Sequence, residues 1–152
     1  MCRFSTVPWT YTPLAARDWV ARQHEAWAAG TKLTLAVTRA GDDVALGNVN
    51  LVGFTEDGRQ ASLGYWLVPA AREHGLALGA ARLLSGWAFT ELGLVRIEIA
   101  ILPGNGASRR LAERLGAVPE GIRQGSHQAE GRAWDTAIYT LHPPPGPGRA
   151  PR

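Results

Sequence analysis

One cysteine, one methionine and a single lysine, Lys32, among 152 residues narrow the field before any motif is read. Cys2 alone can form neither an internal disulfide nor a multi-cysteine metal site, a usage that fits a reducing cytoplasm. No apolar run approaches the ~20 residues of a membrane-spanning helix, and the first residues lack the charged head and apolar stretch of a signal peptide. The chain therefore reads as soluble and cytoplasmic, with no membrane partner. An excess of one charge is missing as well. The formal charge of +3 falls to near balance once Arg149 and Arg152 are set aside, leaving 14 basic residues against 13 acidic ones, so composition gives no reason to expect nucleic acid. What is present suffices for one core of ordinary size: 45% of residues are hydrophobic and six are Trp. Residues 1 to 142 read as a single domain, and the Pro- and Gly-rich run from Pro143 to Arg152 as a disordered tail.

After an irregular start, Thr12-Pro13 offers an N-cap followed by Pro at the first helical position, and the pattern predicts a helix to Gly30 that buries Val20, Trp27 and Ala28. Leu33, Leu35 and Val37 then alternate as a strand, Gly41-Asp42-Asp43 turns the chain, and Val44 to Phe54 returns, with a slip of phase that predicts a bulge or bend at Gly47. Asp57-Gly58 makes the next turn, and Leu63, Tyr65 and Leu67 alternate until Pro69. Leu76, Ala80, Leu83, Leu84, Trp87 and Ala88 recur at helical spacing, and Gly93 stops that helix. Val95, Ile97, Ile99 and Ile101 form a strand, Asn105 to Leu115 a helix, and two strands complete the chain, about Gly121 to Ala129 and Ala133 to Leu141.

The loop Arg72-Glu73-His74-Gly75-Leu76-Ala77 carries the most chemistry, because a strand that opens through a glycine turn into a helix points unpaired backbone N–H groups outward, where a phosphate can take them. By itself it could equally be an ordinary strand-to-helix turn. A Rossmann reading fails on spacing, since Ala77 and Ala80 stand where its second and third glycines belong. The spelling Arg-x-x-Gly-x-Ala resembles the acetyl-CoA pyrophosphate motif of the GNAT superfamily of N-acetyltransferases. The order of helix, three strands, helix, strand, helix and two strands is similar to that fold too. Further blocks extend the likeness: Leu63-Gly64-Tyr65-Trp66-Leu67 before the loop, Leu92-Gly93-Leu94-Val95-Arg96 after the long helix, then Asn105-Gly106-Ala107-Ser108 and Leu115-Gly116-Ala117-Val118-Pro119-Glu120-Gly121. The last two resemble blocks of the RimJ/RimL-like ribosomal-protein N-acetyltransferases.

The resemblance implies an α+β fold, a central and mostly antiparallel sheet flanked by helices, and transfer of an acetyl group from acetyl-CoA to a primary amine. It implies that Leu67 and Val68 meet the thioester carbonyl and pantetheine, and that the amides of His74, Gly75, Leu76 and Ala77 hold the pyrophosphate with charge from Arg72. Asn105 then contacts the pantetheine arm and Ser108 protonates the leaving thiolate, although both also suit a plain helix start, Asn105 as N-cap. For the general base, His127 on the penultimate strand comes first, since imidazole takes protons near neutrality, against the plain reading of an exposed strand His. Glu98 comes second, against the reading of an ion pair with Arg96.

The family's usual first strand, beside Leu33 to Val37, has no counterpart before the Thr12 helix, which predicts an exposed sheet edge and an incomplete acceptor wall that a homodimer would complete. A catalytically impaired CoA-binding or interaction module is therefore the alternative to an enzyme. The acceptor stays open among protein N-termini, amino acids, small amines and aminoglycosides.

Overall fold

The Thr12 hydroxyl accepts the Ala15 N–H at 3.1 Å and Pro13 fills the first helical position, so helix α1 (Pro13–Ala28) starts where local chemistry places it. The computed structural model describes residues 12–72, 74–129 and 131–145. The irregular start expected before Thr12 and the tail from residue 146 onward lie outside them. The buried face of α1 differs from the sequence reading. Val20 and Trp27 are 47% and 48% exposed and Ala28 is exposed too, while the half-buried stripe is Ala15, Ala16, Trp19, Gln23 and Ala26. Polar contacts turn the helix this way: Thr34 donates its hydroxyl to Gln23 Oε1 at 3.0 Å, and Lys32 Nζ lies 5.8 Å from the Trp19 ring centre.

The six strands are β1 (Lys32–Val37), β2 (Gly47–Val52), β3 (Gln60–Leu67), β4 (Arg96–Ile101), β5 (Val118–Ala129) and β6 (Arg132–Leu141), lying side by side in the order β1-β2-β3-β4-β6-β5. All neighbours are antiparallel except β3 and β4. Among the described residues β1 therefore ends the sheet, and Leu35 on it is exposed although Leu33 and Val37 are buried. Gly47 is not a bulge. It opens β2 and pairs with Leu67, while Val44 is exposed in the preceding loop. The phase change read from the sequence is thus the loop-to-strand boundary.

Helices α2 (Leu76–Glu91) and α3 (Gly106–Leu115) cover the sheet face carrying Leu51, Leu63, Ile97, Ile99 and Tyr139. Of the α2 residues read as one stripe, Leu84 and Ala88 are buried, but Leu83 (78% exposed) and Trp87 face outward. Leu78, Ala81 and Ser85 take the inner positions instead. A helix apolar on nearly every side gives no unique phase, and the small Ala81, Ser85 and Ala88 select the face that approaches the sheet most closely.

Candidate active site

The parallel pairing of β3 with β4 lasts for three residue pairs, Gln60 with Arg96, Ala61 with Ile97 and Ser62 with Glu98. Beyond Ser62 no further pair joins the two strands, and the sheet opens as a V toward their C-terminal ends. Main-chain direction follows from two hydrogen bonds. Val68 N–H donates to Leu46 O at 2.8 Å, in register with the β2–β3 ladder, and Val95 N–H donates to Arg59 O at 2.8 Å. Because the hydrogen-bonding side alternates along a strand, the backbone groups of Leu63, Tyr65 and Leu67 point into the V. This corrects one expectation. The Val68 amide is committed to Leu46, so Leu67 N–H remains as the main-chain donor for a carbonyl in the V.

Both helices that follow these strands start at the mouth of the V. Gly75 is the N-cap of α2 with φ +74°, a left-handed conformation natural to glycine, and Gly79 N–H closes the first turn on Gly75 O at 2.9 Å. His74 is exposed, Leu76 and Ala77 are half-buried, and a Cβ built on Gly75 would have no atom within 4 Å, so the cradle is open from outside. Arg72 Nε donates to Leu67 O at 3.0 Å, which ties the loop to the end of β3. At the other helix Asn105 Oδ1 caps α3 by accepting Ser108 N–H at 3.1 Å. The capping role weighed for Asn105 is thus realised, and its Nδ2 hydrogens are a separate donor set.

A cleft of about 310 Å³ fills the V and brings together Glu98, Asn105, Ser108 and His127, whereas Arg72, His74, Gly75, Leu76 and Ala77 are not part of its lining. His127 is half-buried. Between the pairs Arg123–Thr136 and His127–Trp134, β5 advances four residues and β6 two, and this irregularity bends β5 over the cleft. Glu98 is paired chiefly with a residue other than the one expected: Arg123 Nη1 and Nη2 donate to its two oxygens at 2.6 and 2.8 Å, while Arg96 stands 3.7 Å away. Arg96 instead makes the same fork to Glu120, 2.7 Å to each oxygen. Those bonds, with one from Thr140, lower the Glu120 pKa to about 2, and the bond to Glu98 raises that of Arg123. Both Glu98 oxygens are thus engaged by the Arg123 guanidinium, while His127 shares the cleft with Asn105 and Ser108.

Two cleft residues escaped the sequence reading. Tyr65 reaches from β3 to donate its hydroxyl to Ser108 O at 3.4 Å, and burial raises its pKa, which keeps it a neutral donor. Its odd-numbered place beside Leu63 and Leu67 was the available signal. Arg123 had none, since its partner lies 25 residues away on β4.

Comparison with known proteins then decides the family. The sequence model of the acetyltransferase (GNAT) domain matches residues 1–118. The chain belongs to the GNAT acetyltransferase family. Among GNAT relatives it is 32% identical over 100 residues to YdaF of Bacillus subtilis, provisionally named a ribosomal N-acetyltransferase, covering 66% of this chain and 55% of YdaF. With YjcK of the same organism, named a probable N-acetyltransferase, it shares 31% identity over 126 residues, 82% of this chain and 69% of YjcK. It thus spans little more than half of YdaF. A Vibrio cholerae GNAT structure, provisionally named a ribosomal-protein-serine acetyltransferase, superposes with TM-score 0.80 at 25% identity, over 89% of this chain and 79% of that one. No helix of the described residues in this GNAT domain is long and apolar enough to cross a membrane.

Proposed function

We propose that this chain is an acetyl-CoA-dependent N-acetyltransferase whose acceptor is a protein N-terminal α-amine, reacting directly in a ternary complex. The observation that carries the reading is the V between β3 and β4, with unpaired main chain on one wall and helix N-termini at its mouth. The pyrophosphate would rest on the amides at the start of α2, where the helix dipole favours negative charge. Pantetheine would enter the V toward Asn105. The amine nitrogen attacks the thioester carbon, and Leu67 N–H supports the oxyanion that forms. As the C–S bond breaks, the Ser108 hydroxyl, with Tyr65 beside it, passes a proton to the CoA thiolate and takes one back from solvent, and His127 accepts the proton lost by the amine and releases it to solvent. The ribosomal acceptors named for YdaF and the Vibrio cholerae protein support a protein N-terminus as substrate.

Thiol release from acetyl-CoA in the presence of N-terminal peptides tests the reading against a binding module, for which CoA binds without release. Ser108→Ala is expected to lower kcat roughly tenfold or more while CoA affinity stays within about twofold, since only the transition state needs that proton. Weakened affinity with unchanged kcat would make Ser108 a binding residue. His127→Gln is expected to erase the acidic limb of the kcat/KM profile measured with one defined peptide, because that limb reports protonation of the free base. An acidic inflection shared by both proteins would remove His127 from the mechanism.

A further inference from the structure

On the sheet face that carries α1, β2 and β3 present a short polar row beside the cleft. Asn48 and Asn50 stand opposite Trp66 and Gly64, and Thr34, opposite Asn50 on the other side, is the residue bonded to Gln23 of α1. Asn50 Nδ2 donates to Asn48 Oδ1 at 3.2 Å, which fixes the amide plane and leaves Oδ1 as an acceptor. The amide leans across Gly64. A Cβ built on Gly64 would lie 2.7 Å from Asn50 Oδ1 and 3.2 Å from Nδ2. Gly64 is not among the positive-φ glycines, so its backbone does not call for glycine; the close approach of the Asn50 amide does. Gly64 lines the cleft on the same face as Ser62, whose register partner is Glu98. The far wall is the Glu98–Arg123 pair, charged rather than apolar.

We propose that the Asn50 amide, seated over Gly64, sets acceptor specificity: its Oδ1 accepts the N–H of the acceptor's first peptide group and so favours a peptide N-terminus over a plain alkylamine. The proposal rests on the acetyltransferase reading above. A peptide N–H taken into the cleft must find an acceptor or lose the hydrogen bond it had with water. Asn50 supplies that acceptor. An alkylamine has no such group, and its binding leaves the Asn50 oxygen without the partner that a peptide N–H supplies. Asn50 touches substrate only; the transferring atoms lie nearer the mouth of the V, at Leu67 and Ser108.

The test compares wild type, Asn50→Ala, Gly64→Ala and the double variant with a short unblocked peptide and with butylamine, alongside calorimetric titration with CoA and a melting curve. Each single variant is expected to lose roughly tenfold in kcat/KM for the peptide, the worth of one hydrogen bond. The butylamine rate and CoA affinity should stay within about twofold. Because Gly64→Ala acts by displacing the Asn50 amide, the double variant should be no worse than either single one. Equal losses on both acceptors, or losses that multiply in the double variant, would overturn the proposal. Should Gly64→Ala fail to fold, Asn50→Ala decides alone, and an unchanged preference for peptide overturns it. Acetylation of neither acceptor by the wild type overturns the acetyltransferase reading itself, and that failure is distinguishable because it shows before any substitution is made.

Discussion

Gly75→Glu is expected to weaken CoA binding by roughly a hundredfold or more while lowering the melting temperature by only about 2–8 °C, because three effects act at one position. The residue sits at φ +74°, where a side chain is strained. It also caps α2, so a bulky carboxylate there blocks the approach of phosphate oxygens to the first-turn amides. Finally, the carboxylate repels the diphosphate it would face. A Cβ at this position meets no protein atom within 4 Å, so the damage falls on the ligand rather than on packing. Gly75→Asn is the control: asparagine tolerates the left-handed conformation and carries no charge, and it should retain most of the affinity. Calorimetric titration of the three proteins with CoA decides the matter. Equal affinities for Glu and Gly would remove the cradle from the binding site.

Gly47→Val should have the opposite character, a large loss of stability with no direct effect on the ligand. A Cβ on Gly47 would overlap the Trp66 carbonyl oxygen and stand 2.8 Å from Leu67 Cα, both backbone atoms that no rotamer change can move aside. The start of β2 would have to part from the end of β3, at a cost of about 3 kcal/mol, the upper end of ordinary overpacking. For a chain of this size that lowers Tm by roughly 6–12 °C. Thermal unfolding followed by circular dichroism reads it directly. A Tm within about 2 °C of wild type would mean that the Gly47–Leu67 pairing is looser than described.

Main-chain elements were legible wherever local chemistry is strong. Thr12-Pro13, the Asp57-Gly58 turn, Gly75 and Gly93 punctuate the chain by capping or left-handed geometry, and alternation of Ile97, Ile99 and Ile101 identifies a strand buried on one face. Which way a helix faces was not legible for α1 or α2. Both carry apolar residues on several sides, and the decision falls to tertiary contacts, such as the Thr34–Gln23 bond, that join residues 11 apart. The same limit governs the cleft. Asn105, Ser108 and His127 could be named because short motifs and a rare residue type mark them. Tyr65 read only as a core position, and the partner of Glu98 depends on the strand order, in which Arg123 on β5 reaches over β6 to β4. The fate of the Val68 amide was likewise invisible, since a strand's hydrogen-bonding phase is set by its neighbour rather than by its own side chains.

Among the described residues, three rungs of parallel ladder are the whole strand pairing between one half-sheet, β1-β2-β3, and the other, β4-β6-β5. Above that joint, the inward-facing backbone of Tyr65 and the amide of Leu67 are the loose teeth of a zip, held apart rather than meshed. Any guest that offers amide groups at strand spacing would supply the missing teeth, serving as a surrogate strand as well as a reactant. Occupancy and cohesion are then two readings of one equilibrium, because a guest bound only by the assembled sheet stabilises that sheet by RT ln(1 + c/Kd), where c is the free guest concentration.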